Sequence, residues 1–289
     1  MLDISQPIMH QLSMTEQELR STQHRESGRD PLRRTFLVLD WMARQPETQQ
    51  GVREIAGALE MQASTVSRLL AQMADVGAVR RDEATGRYSL GLDLIRLGAL
   101  AAAKLDVATT ARPHMARLTE LSGESSYLSV YDALRRRMMR VDTVPSPNPL
   151  RYVVAMNQWV DIVRGASGQA ILAFLPHAEI DAAVAEALTS GVMAEPVLEN
   201  LSQIRADGYA CTSGQRTAGA VGIGAPIFDS RVRVIGDVFL TIPESRFDPG
   251  GQTALGSLVR ETAERITAGI AGRWPREASL VSSVESSLS

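Results

Sequence analysis

The sequence predicts an α+β fold with an N-terminal winged helix-turn-helix, a long linker helix and a C-terminal α/β domain. Two short amphipathic helices joined by a tight turn, with a hairpin directly after them, predict the first part. Helical and strand patterns alternate through the second half, as in a sensor domain with a pocket between its layers. The 289 residues provide enough chain for two domains, each with its own core.

The composition is that of an ordinary globular protein, with 44% hydrophobic residues, 22% charged residues and a net charge of −3. Any nucleic-acid surface must therefore be a local patch rather than a property of the whole molecule. The single cysteine, Cys211, excludes an internal disulfide framework and a multi-cysteine zinc site. Without a signal peptide or a membrane-length apolar stretch, we expect a cytoplasmic protein with no membrane partner.

Three helices are predicted after a polar segment, residues 1–28, which we expect to be a flexible arm. The first begins at Pro31 and is limited by Pro46, with apolar positions at helical spacing: Leu32, Phe36, Leu39 and Ala43. The second has apolar residues at i, i+3, i+4 and i+7: Val52, Ile55, Ala56 and Leu59. After a tight turn, the third carries an apolar stripe closed by Gly77 as a C-terminal cap: Val66, Leu69, Leu70, Met73 and Val76.

Two short strands, at residues 78–81 and 87–90, surround a turn at 84–86 and form the predicted wing. Residues 29–91 then make one compact domain, close to the smallest size that folds alone. The next stretch, residues 92–108, is alanine-rich and apolar over more than one face. This composition predicts a linker helix buried against a partner chain or against the next domain.

The rest of the chain predicts the second domain, residues 109–275, followed by a disordered tail at residues 276–289. Its predicted helices cover residues 112–122, 168–176, 177–189, 197–208 and 251–273. Its predicted strands cover residues 127–132, 136–144, 150–156, 222–229 and 234–242. Helices beside a mostly antiparallel sheet are typical of α+β sensor domains.

The polar face of the third helix indicates more than packing on a core. Thr65, Arg68 and Gln72 lie together at i, i+3 and i+7, and Ser64 and Ser67 flank them. These side chains can bond base edges or phosphates. A cap at the helix start and one solvated arginine would explain the same residues. The preceding helix, the tight turn and the hairpin instead favour a recognition helix that enters the major groove of DNA.

The predicted wing adds arginines to this surface, although Asp82 and Glu83 beside them would also fit a solvated hairpin. Residues 29–91 hold nine arginines and eight acidic residues, so the DNA prediction depends on geometry and not on net charge. The recognition helix is predicted over residues 64–74. The predicted DNA-binding residues are Gln62, Ser64, Thr65, Ser67, Arg68, Gln72, Arg80, Arg81 and Arg87.

Patterns of catalytic sites are incomplete in the C-terminal half. The four histidines lie far apart, without metal-ligand spacing. The stretch GASGQ at 165–169 departs from a nucleophile elbow, and GIGAPI at 222–227 lacks the third glycine of a dinucleotide loop. Cys211 has no histidine near it in sequence, which favours a buried, inert thiol. We expect the protein to have no enzymatic activity and to bind no cofactor or metal. The alternative is an enzyme or dimeric sensor module with a vestigial helix-turn-helix.

The order of these parts resembles the IclR family of bacterial transcription regulators over residues 32–273. In the N-terminal half the resemblance rests on REIAGALEMQASTVSRLLAQMADVGAVRRD and GRYSLGLDLIRLG. In the C-terminal half it rests on LRYVVAM, RGASGQAILAFLP and IRADGYACTSGQRTAGAVGIGAPIFD. The resemblance implies a dimer, or dimer of dimers, on double-stranded pseudo-palindromic operator DNA. It also implies a GAF-like domain that binds a small effector, often an organic or aromatic acid, without a cofactor.

The resemblance also implies an effector pocket. Relatives with small keto-acid effectors use backbone amides before a helix, here Gly165, Ala166 and Ser167. They also use an acidic residue and a cysteine, at the positions that hold Thr212 and Gly222 in this chain. The lost carboxylate at the first position removes a repulsion toward anions, and the lost side chain at the second enlarges the pocket.

We hypothesise further contacts between the effector and the side chains of the second domain. Arg164 would pair with an effector carboxylate, or else with Asp161, in which case it would brace the loop. An apolar or aromatic effector body would lie among Leu128, Val130 and Val141, with Cys211 nearby.

Overall fold

In the computed structural model, the described residues are 30–104, 106–189, 191 and 200–275. The predicted arm at residues 1–28 and the predicted tail at 276–289 lie outside them. The chain divides into two compact units, one up to Lys104 and one after it. Among the described residues, no helix is long and apolar enough to cross a membrane.

The first unit is a winged helix-turn-helix followed by one more helix. Its elements are α1 Pro31–Ala43, α2 Val52–Ala58, α3 Ala63–Asp75, β1 Val79–Arg81, β2 Tyr88–Leu90 and α4 Leu92–Ala102. Asp30 caps α1 by accepting a hydrogen bond from the Leu32 amide, and Pro31 opens the helix. The strands pair antiparallel. The core joins residues from α1, α2, α3 and the hairpin: Val38, Met42, Ile55, Ala56, Val66, Leu69, Leu70, Met73, Val79 and Tyr88.

The buried face of α1 differs from the predicted one. Leu32 and Phe36 were predicted to face the core, yet their side chains are 65% and 66% exposed. Val38 and Met42 are buried instead. Apolar residues lie on more than one side of this helix, so helical spacing alone did not identify the packed face. Val76 is also exposed, because α3 ends before it.

The predicted linker helix over residues 92–108 is wrong in its length. Helix α4 ends at Ala102, and α5, Asp106–Ser122, begins shortly afterwards. The start of this second helix was predicted at residue 112, six residues after its position in the structure. Pro113 instead lies inside α5, which continues because its buried positions keep one face: Val107, Ala111, Met115, Leu118 and Thr119.

The second unit contains a six-stranded antiparallel sheet in the order β5-β4-β3-β8-β7-β6. Its strands are β3 Ser125–Asp132, β4 Arg137–Val144, β5 Trp159–Asp161, β6 Ala210–Ser213, β7 Ala220–Phe228 and β8 Val234–Pro243. Its further helices are α6 Gly165–Leu172, α7 His177–Thr189, α8 Leu201–Asp207 and α9 Gln252–Gly269. Helices α5 and α9 share one core with the sheet, whereas α6, α7 and α8 belong to a separate core.

Two strand predictions differ from this sheet. Residues 150–156 form no strand, and the edge strand β5 lies just after them. The Tyr127 hydroxyl donates to the Tyr152 carbonyl, and the Tyr152 hydroxyl donates to the Ala218 carbonyl. These bonds hold the segment as a loop instead of a sheet edge. The short strand β6 was not predicted, because four residues carry too little alternation.

Candidate functional site

A cavity in the second unit lies between the start of α6 and strands β6, β7 and β8. It has about 450 Å³ of empty space, including its open mouth. Five predicted effector residues line it: Gly165, Ala166, Ser167, Thr212 and Gly222. Four lining residues that sequence reasoning missed carry much of its chemistry: Arg140, Arg216, Phe239 and Thr241. The cavity therefore combines the expected loop with cations and an aromatic ring from other elements.

The first turn of α6 forms one wall of the cavity. The Gly165 amide donates to Gln215 Oε1 at 3.0 Å, which ties the helix start to the loop after β6. Gly165 has a φ of 76°, a backbone conformation that favours glycine. The first N–H groups of a helix have no acceptor inside it, so this wall offers donors to an anion.

Gly168 allows α6 to lie against the loop after β5. A Cβ at residue 168 would lie 2.6 Å from the Ile162 carbonyl oxygen. We expect Gly168→Ala to destabilise the second unit by about 1–3 kcal/mol, because the backbone would have to shift. Gly222→Ala is the control, since the nearest atom to its Cβ would be the Ala166 Cβ at 3.3 Å, and the nearest backbone atoms would lie at ordinary contact distances of 3.8 and 3.9 Å. Urea unfolding measures both free energies. Equal losses would contradict a backbone clash specific to Gly168.

Arg140 is the most unusual residue of the cavity. Arg140 is 3% exposed, and its Nε is buried without a hydrogen-bond partner among the described residues. Burial, and the charge of Arg216 after it, lower the pKa of Arg140. Its guanidinium carbon lies 5.8 Å from the centroid of the Phe239 ring. A buried cation without an acceptor is costly and indicates an anionic ligand at this place.

Arg216 reaches the cavity from the loop after β6. Its Nη2 donates to the Asp161 carbonyl at 2.8 Å, while its Nε is buried without a hydrogen-bond partner in the described chain. Burial opposes ionisation of Asp161, but Arg216 and the Arg164 amide outweigh it and lower the pKa of that carboxyl. The Nη groups thus have acceptors within the protein, and the Nε is left beside the cavity.

Arg164 does not line this cavity. Its Nη2 lies 3.3 Å from Asp161 Oδ2, and its amide donates to Asp161 Oδ1. This geometry fits the alternative in which the residue braces the loop. Arg164 lines a second cavity with Arg136 and Arg137, and its Nε is buried without a hydrogen-bond partner in the described chain, so its binding of an effector carboxylate stays a prediction.

Leu128, Val130 and Val141, which were predicted to hold the effector body, do not line this cavity. Leu128 is fully buried, and all three belong to the core shared with α5 and α9. Side chains alternate along a strand, so the cavity-side residues of β3 are Tyr127 and Ser129 instead.

Two features of the structure explain where the other predicted effector residues lie. The β4 strand has a bulge opposite Leu128, which places Val141 toward the same core. Cys211 also packs against that core, and burial raises its pKa to about 11. The thiol is thus inert at neutral pH and lies beside Thr212 without lining the cavity.

A buried carboxyl lies next to Arg140 in the sheet. Asp237 on β8 and Arg140 on β4 both pair with Ser129. Asp237 accepts a hydrogen bond from Ser167 Oγ at 2.9 Å, and its Oδ2 is buried without a partner in the described residues. Burial raises the pKa of Asp237 to about 7, although Ser129, Ser167 and both cavity arginines oppose this shift. A lone acid within the apolar stretch VIGDVFLTI was the sequence signal for it.

The first unit presents the polar face of α3 to solvent. Gln62, Ser64, Ser67, Arg68 and Gln72 are exposed, and Thr65 is half-buried. The N-cap position of α3 is Gln62, with no side-chain cap bond, so neither serine nor threonine is used there. The opposite face of the helix is buried: Val66, Leu69, Leu70 and Met73. The polar face is therefore available for a ligand.

The predicted wing arginines have different surroundings. Arg80 and Arg81 are exposed, and their guanidinium groups make no ion pair or hydrogen bond with the described residues. Arg87 instead pairs with Glu54 at 2.8 Å and donates to the Gln49 carbonyl. These bonds hold the hairpin to α2. They are compatible both with a solvated hairpin and with a wing that contacts DNA.

No group of three or more histidine, cysteine or acidic residues that could hold a metal occurs in the described part of the chain.

Family models match most of this chain. The model for "Bacterial transcriptional regulator IclR C-terminal" matches residues 99–268, and the model for "IclR helix-turn-helix domain" matches residues 31–83.

Individual relatives agree with these matches. The glycerol operon regulatory protein of Streptomyces coelicolor is 30% identical over 235 residues, which are 79% of this chain and 92% of that protein. The HTH-type transcriptional regulator KipR of Bacillus subtilis is 27% identical over 220 residues, 74% of this chain and 87% of that protein.

Solved structures show the same fold. An IclR transcriptional regulator from Alicyclobacillus acidocaldarius aligns with a TM-score of 0.71 at 23% identity, over 83% of this chain and 98% of that chain. The IclR of Thermotoga maritima aligns with a TM-score of 0.63 at 23% identity, over the same shares.

Proposed function

The chain belongs to the IclR family of bacterial transcriptional regulators, and from this premise we propose how it binds DNA and its effector. It is a ligand-responsive, DNA-binding regulator in which α3 reads the major groove and the second unit binds a small organic acid. As a DNA-binding protein it acts in the cytoplasm. A relative named for the glycerol operon supports the control of a metabolic operon.

The polar face of α3 is the proposed DNA-reading surface. Arg68 is exposed and makes no ion pair with the described residues, so its guanidinium is available for a guanine or a phosphate. Thr65 and Gln72 lie on the same face at helical spacing. Arg80 and Arg81 on the wing add phosphate contacts, which position the protein without specifying sequence.

We expect two copies of the chain to bind the two halves of a pseudo-palindromic operator. The exposed side of α4 supports self-association, because large apolar side chains lie there without cover from the described residues: Leu92, Ile95, Leu97 and Leu100.

Arg68→Ala should weaken operator binding by about tenfold or more, because a good arginine–base contact contributes about 1–3 kcal/mol. Fluorescence anisotropy with DNA from upstream of the protein's own gene measures this loss. Arg44→Ala is the matched control, since Arg44 is an exposed arginine of the same unit that already pairs with Asp40 at 2.9 Å. Binding that persists unchanged in Arg68→Ala combined with Thr65→Ala would remove α3 as the reading helix.

The observation that carries the effector half is the buried guanidinium of Arg140 on the cavity wall, whose Nε has no hydrogen-bond partner among the described residues. A carboxylate of an organic acid would supply the missing acceptors. Binding at α6 would then favour one arrangement of the protein over another and so change its affinity for the operator. Addition of organic acids to the anisotropy assay tests this. An operator affinity that no organic acid changes would contradict it.

A further inference from the structure

A second cavity lies between helix α7 and the edge of the sheet where β4 pairs with β5. It has about 610 Å³ of empty space, including its open mouth. In the described chain it shares no lining residue with the first cavity. Most of its lining residues are charged: Arg136, Arg137, Arg164, Asp161 and Glu186. The second cavity is therefore a separate candidate site, and its chemistry is that of ionic groups.

Arg136 is matched by acids of α7. Its Nε donates to Glu186 Oε1 at 2.9 Å, and Glu179 Oε2 lies 4.0 Å from its Nη1. These contacts join the turn between β3 and β4 to α7. Arg136 is therefore not the cation that lacks a counter-charge in this cavity.

Arg164 is only partly neutralised. Asp161 Oδ2 lies 3.3 Å from Arg164 Nη2 and also 3.3 Å from Arg216 Nη1, so one carboxylate is shared by two guanidinium groups. The Nε of Arg164 is buried without a hydrogen-bond partner in the described chain. Because buried polar atoms in native proteins are nearly always bonded, this N–H indicates a position at which a ligand accepts.

Arg137 is the cation without an acid. It stands opposite Asp161 in the pairing of β4 with β5, so the two side chains lie on the same face of the sheet. Its side chain is exposed and makes no ion pair or hydrogen bond with the described residues. Its N–H donors are therefore available to a ligand in the cavity that Arg164 also lines.

The charges at this edge of the sheet do not balance. Its arginines exceed its acids by one: Arg136, Arg137, Arg164 and Arg216 lie beside Asp161, Glu179 and Glu186. An anion in the cavity is repelled by the two carboxylates of the wall, so a second negative charge is needed to gain fully from both available guanidinium groups. Those groups come from different elements, and the oxygens of a tetrahedral anion can accept from both directions at once.

We propose that the second cavity binds a compact, doubly charged oxyanion of the phosphate type, either the free ion or a phosphate group carried by a small metabolite. Arg137 and Arg164 hold this anion from two sides. The site gives the regulator a second ligand besides the organic acid, and the proposal does not depend on what binds in the first cavity.

Calorimetry on the full chain at pH 8 tests the proposal with two probes, inorganic phosphate and methyl phosphate. Sodium nitrate at the same ionic strength is the control, because nitrate is a flat, singly charged oxyanion, whereas both phosphates are mainly doubly charged at this pH. We expect at least one phosphate to bind about tenfold or more tightly than nitrate. Tighter binding of inorganic phosphate indicates the free ion, and tighter binding of methyl phosphate indicates a phosphorylated metabolite.

Arg137→Gln should weaken the binding of phosphate by about tenfold or more, because charge-assisted hydrogen bonds to the anion are lost. The variant should fold normally, since Arg137 makes no ion pair or hydrogen bond with the described residues. Arg135→Gln is the matched control, because Arg135 is an exposed arginine of the same hairpin that already pairs with Asp132. This control should bind phosphate as the wild type does.

Two results would overturn the proposal. The first is that neither phosphate binds more tightly than nitrate. The second is that Arg137→Gln leaves the affinity for phosphate unchanged. If Arg140→Met then abolishes that binding, the anion lies in the first cavity and not in the second.

Discussion

Arg140→Met should abolish the response to organic acids and, in the absence of any ligand, make the second unit more stable. The affinity for a bound acid should fall by more than about 100-fold, because two charge-assisted hydrogen bonds contribute about 1.5–3 kcal/mol each. The stability gain arises because the substitution replaces a buried cation, whose Nε has no hydrogen-bond partner among the described residues, with an apolar side chain of similar length. Replacing whole buried ion pairs with apolar side chains often stabilises proteins by about 1–4 kcal/mol.

We expect Arg140→Met to lower the affinity for acids and to raise the free energy of unfolding. These opposite changes distinguish a ligand-binding role of Arg140 from a structural one. Calorimetry gives the affinity, and urea unfolding at pH 6 gives the stability, because Asp237 is then mostly protonated and needs no counter-charge. Arg137→Met is the control: Arg137 lies on the same strand but is exposed, so neither quantity should change. An Arg140→Met protein that is less stable and still binds acids would show that the arginine braces the sheet.

The fold was predictable wherever periodicity was regular. The apolar stripe of α3 from Val66 to Met73 is buried as expected, and Gly77, with a φ of 74°, ends that helix region. The hairpin followed from its turn residues. The buried face of α1 could not be predicted in the same way. Leu32 and Val38 both belong to regular apolar spacings, and the packing of the other helices decides which of the two faces is buried.

The cavity was predictable in part. The α6 loop, Thr212 and Gly222 came from the resemblance, and they do line one cavity. The apolar body was assigned to the face of β3 that does not line this cavity, because alternation defines two faces but does not say which one a helix start will cover. Leu128 and Tyr127 are equally apolar neighbours, and the sheet order decides between them.

The cations were the least predictable part of the site. The stretch RRMMRVDTV offers Arg136, Arg137 and Arg140, and sequence alone does not say which one is buried. The decisive facts are long-range: β4 lies between β5 and β3, and its bulge aligns Arg140 with Ser129. A bulge changes which residues face the cavity, and no local pattern announced it.

Asp237→Asn should make the second unit more stable than wild type at pH 8, and by a clearly smaller margin at pH 5. Burial raises the pKa of Asp237 to about 7 in the folded protein, above the ordinary value of 3.8. Between these two values the folded chain holds a proton that the unfolded chain has released, so wild-type stability falls as the pH rises. The shift corresponds to a loss on the order of 4 kcal/mol, which the neutral amide does not suffer.

The unfolding of the second unit can be followed by itself. Trp159 and Trp274 lie in that unit and Trp41 lies in the other, so a Trp41→Phe background reports on residues after 104. Urea unfolding at pH 5, 7 and 8 should give a falling stability for wild type and a flat one for Asp237→Asn. A difference between the two proteins that is the same at every pH would show that the carboxyl does not titrate in this range.

The same carboxyl should couple effector binding to protons. Asp237 is faced by Arg140 from β4, by Arg216 from the loop after β6, and by the hydroxyls of Ser129 and Ser167. An anion placed beside these arginines makes ionisation of Asp237 less favourable, so binding above pH 7 requires proton uptake. Benzoate affinity should therefore fall by up to about tenfold per pH unit above pH 7, and Asp237→Asn should remove that slope. Calorimetry in two buffers with different ionisation enthalpies counts the protons directly. A count of zero in the wild type at pH 8 would mean that the arginines bind the anion without involving Asp237.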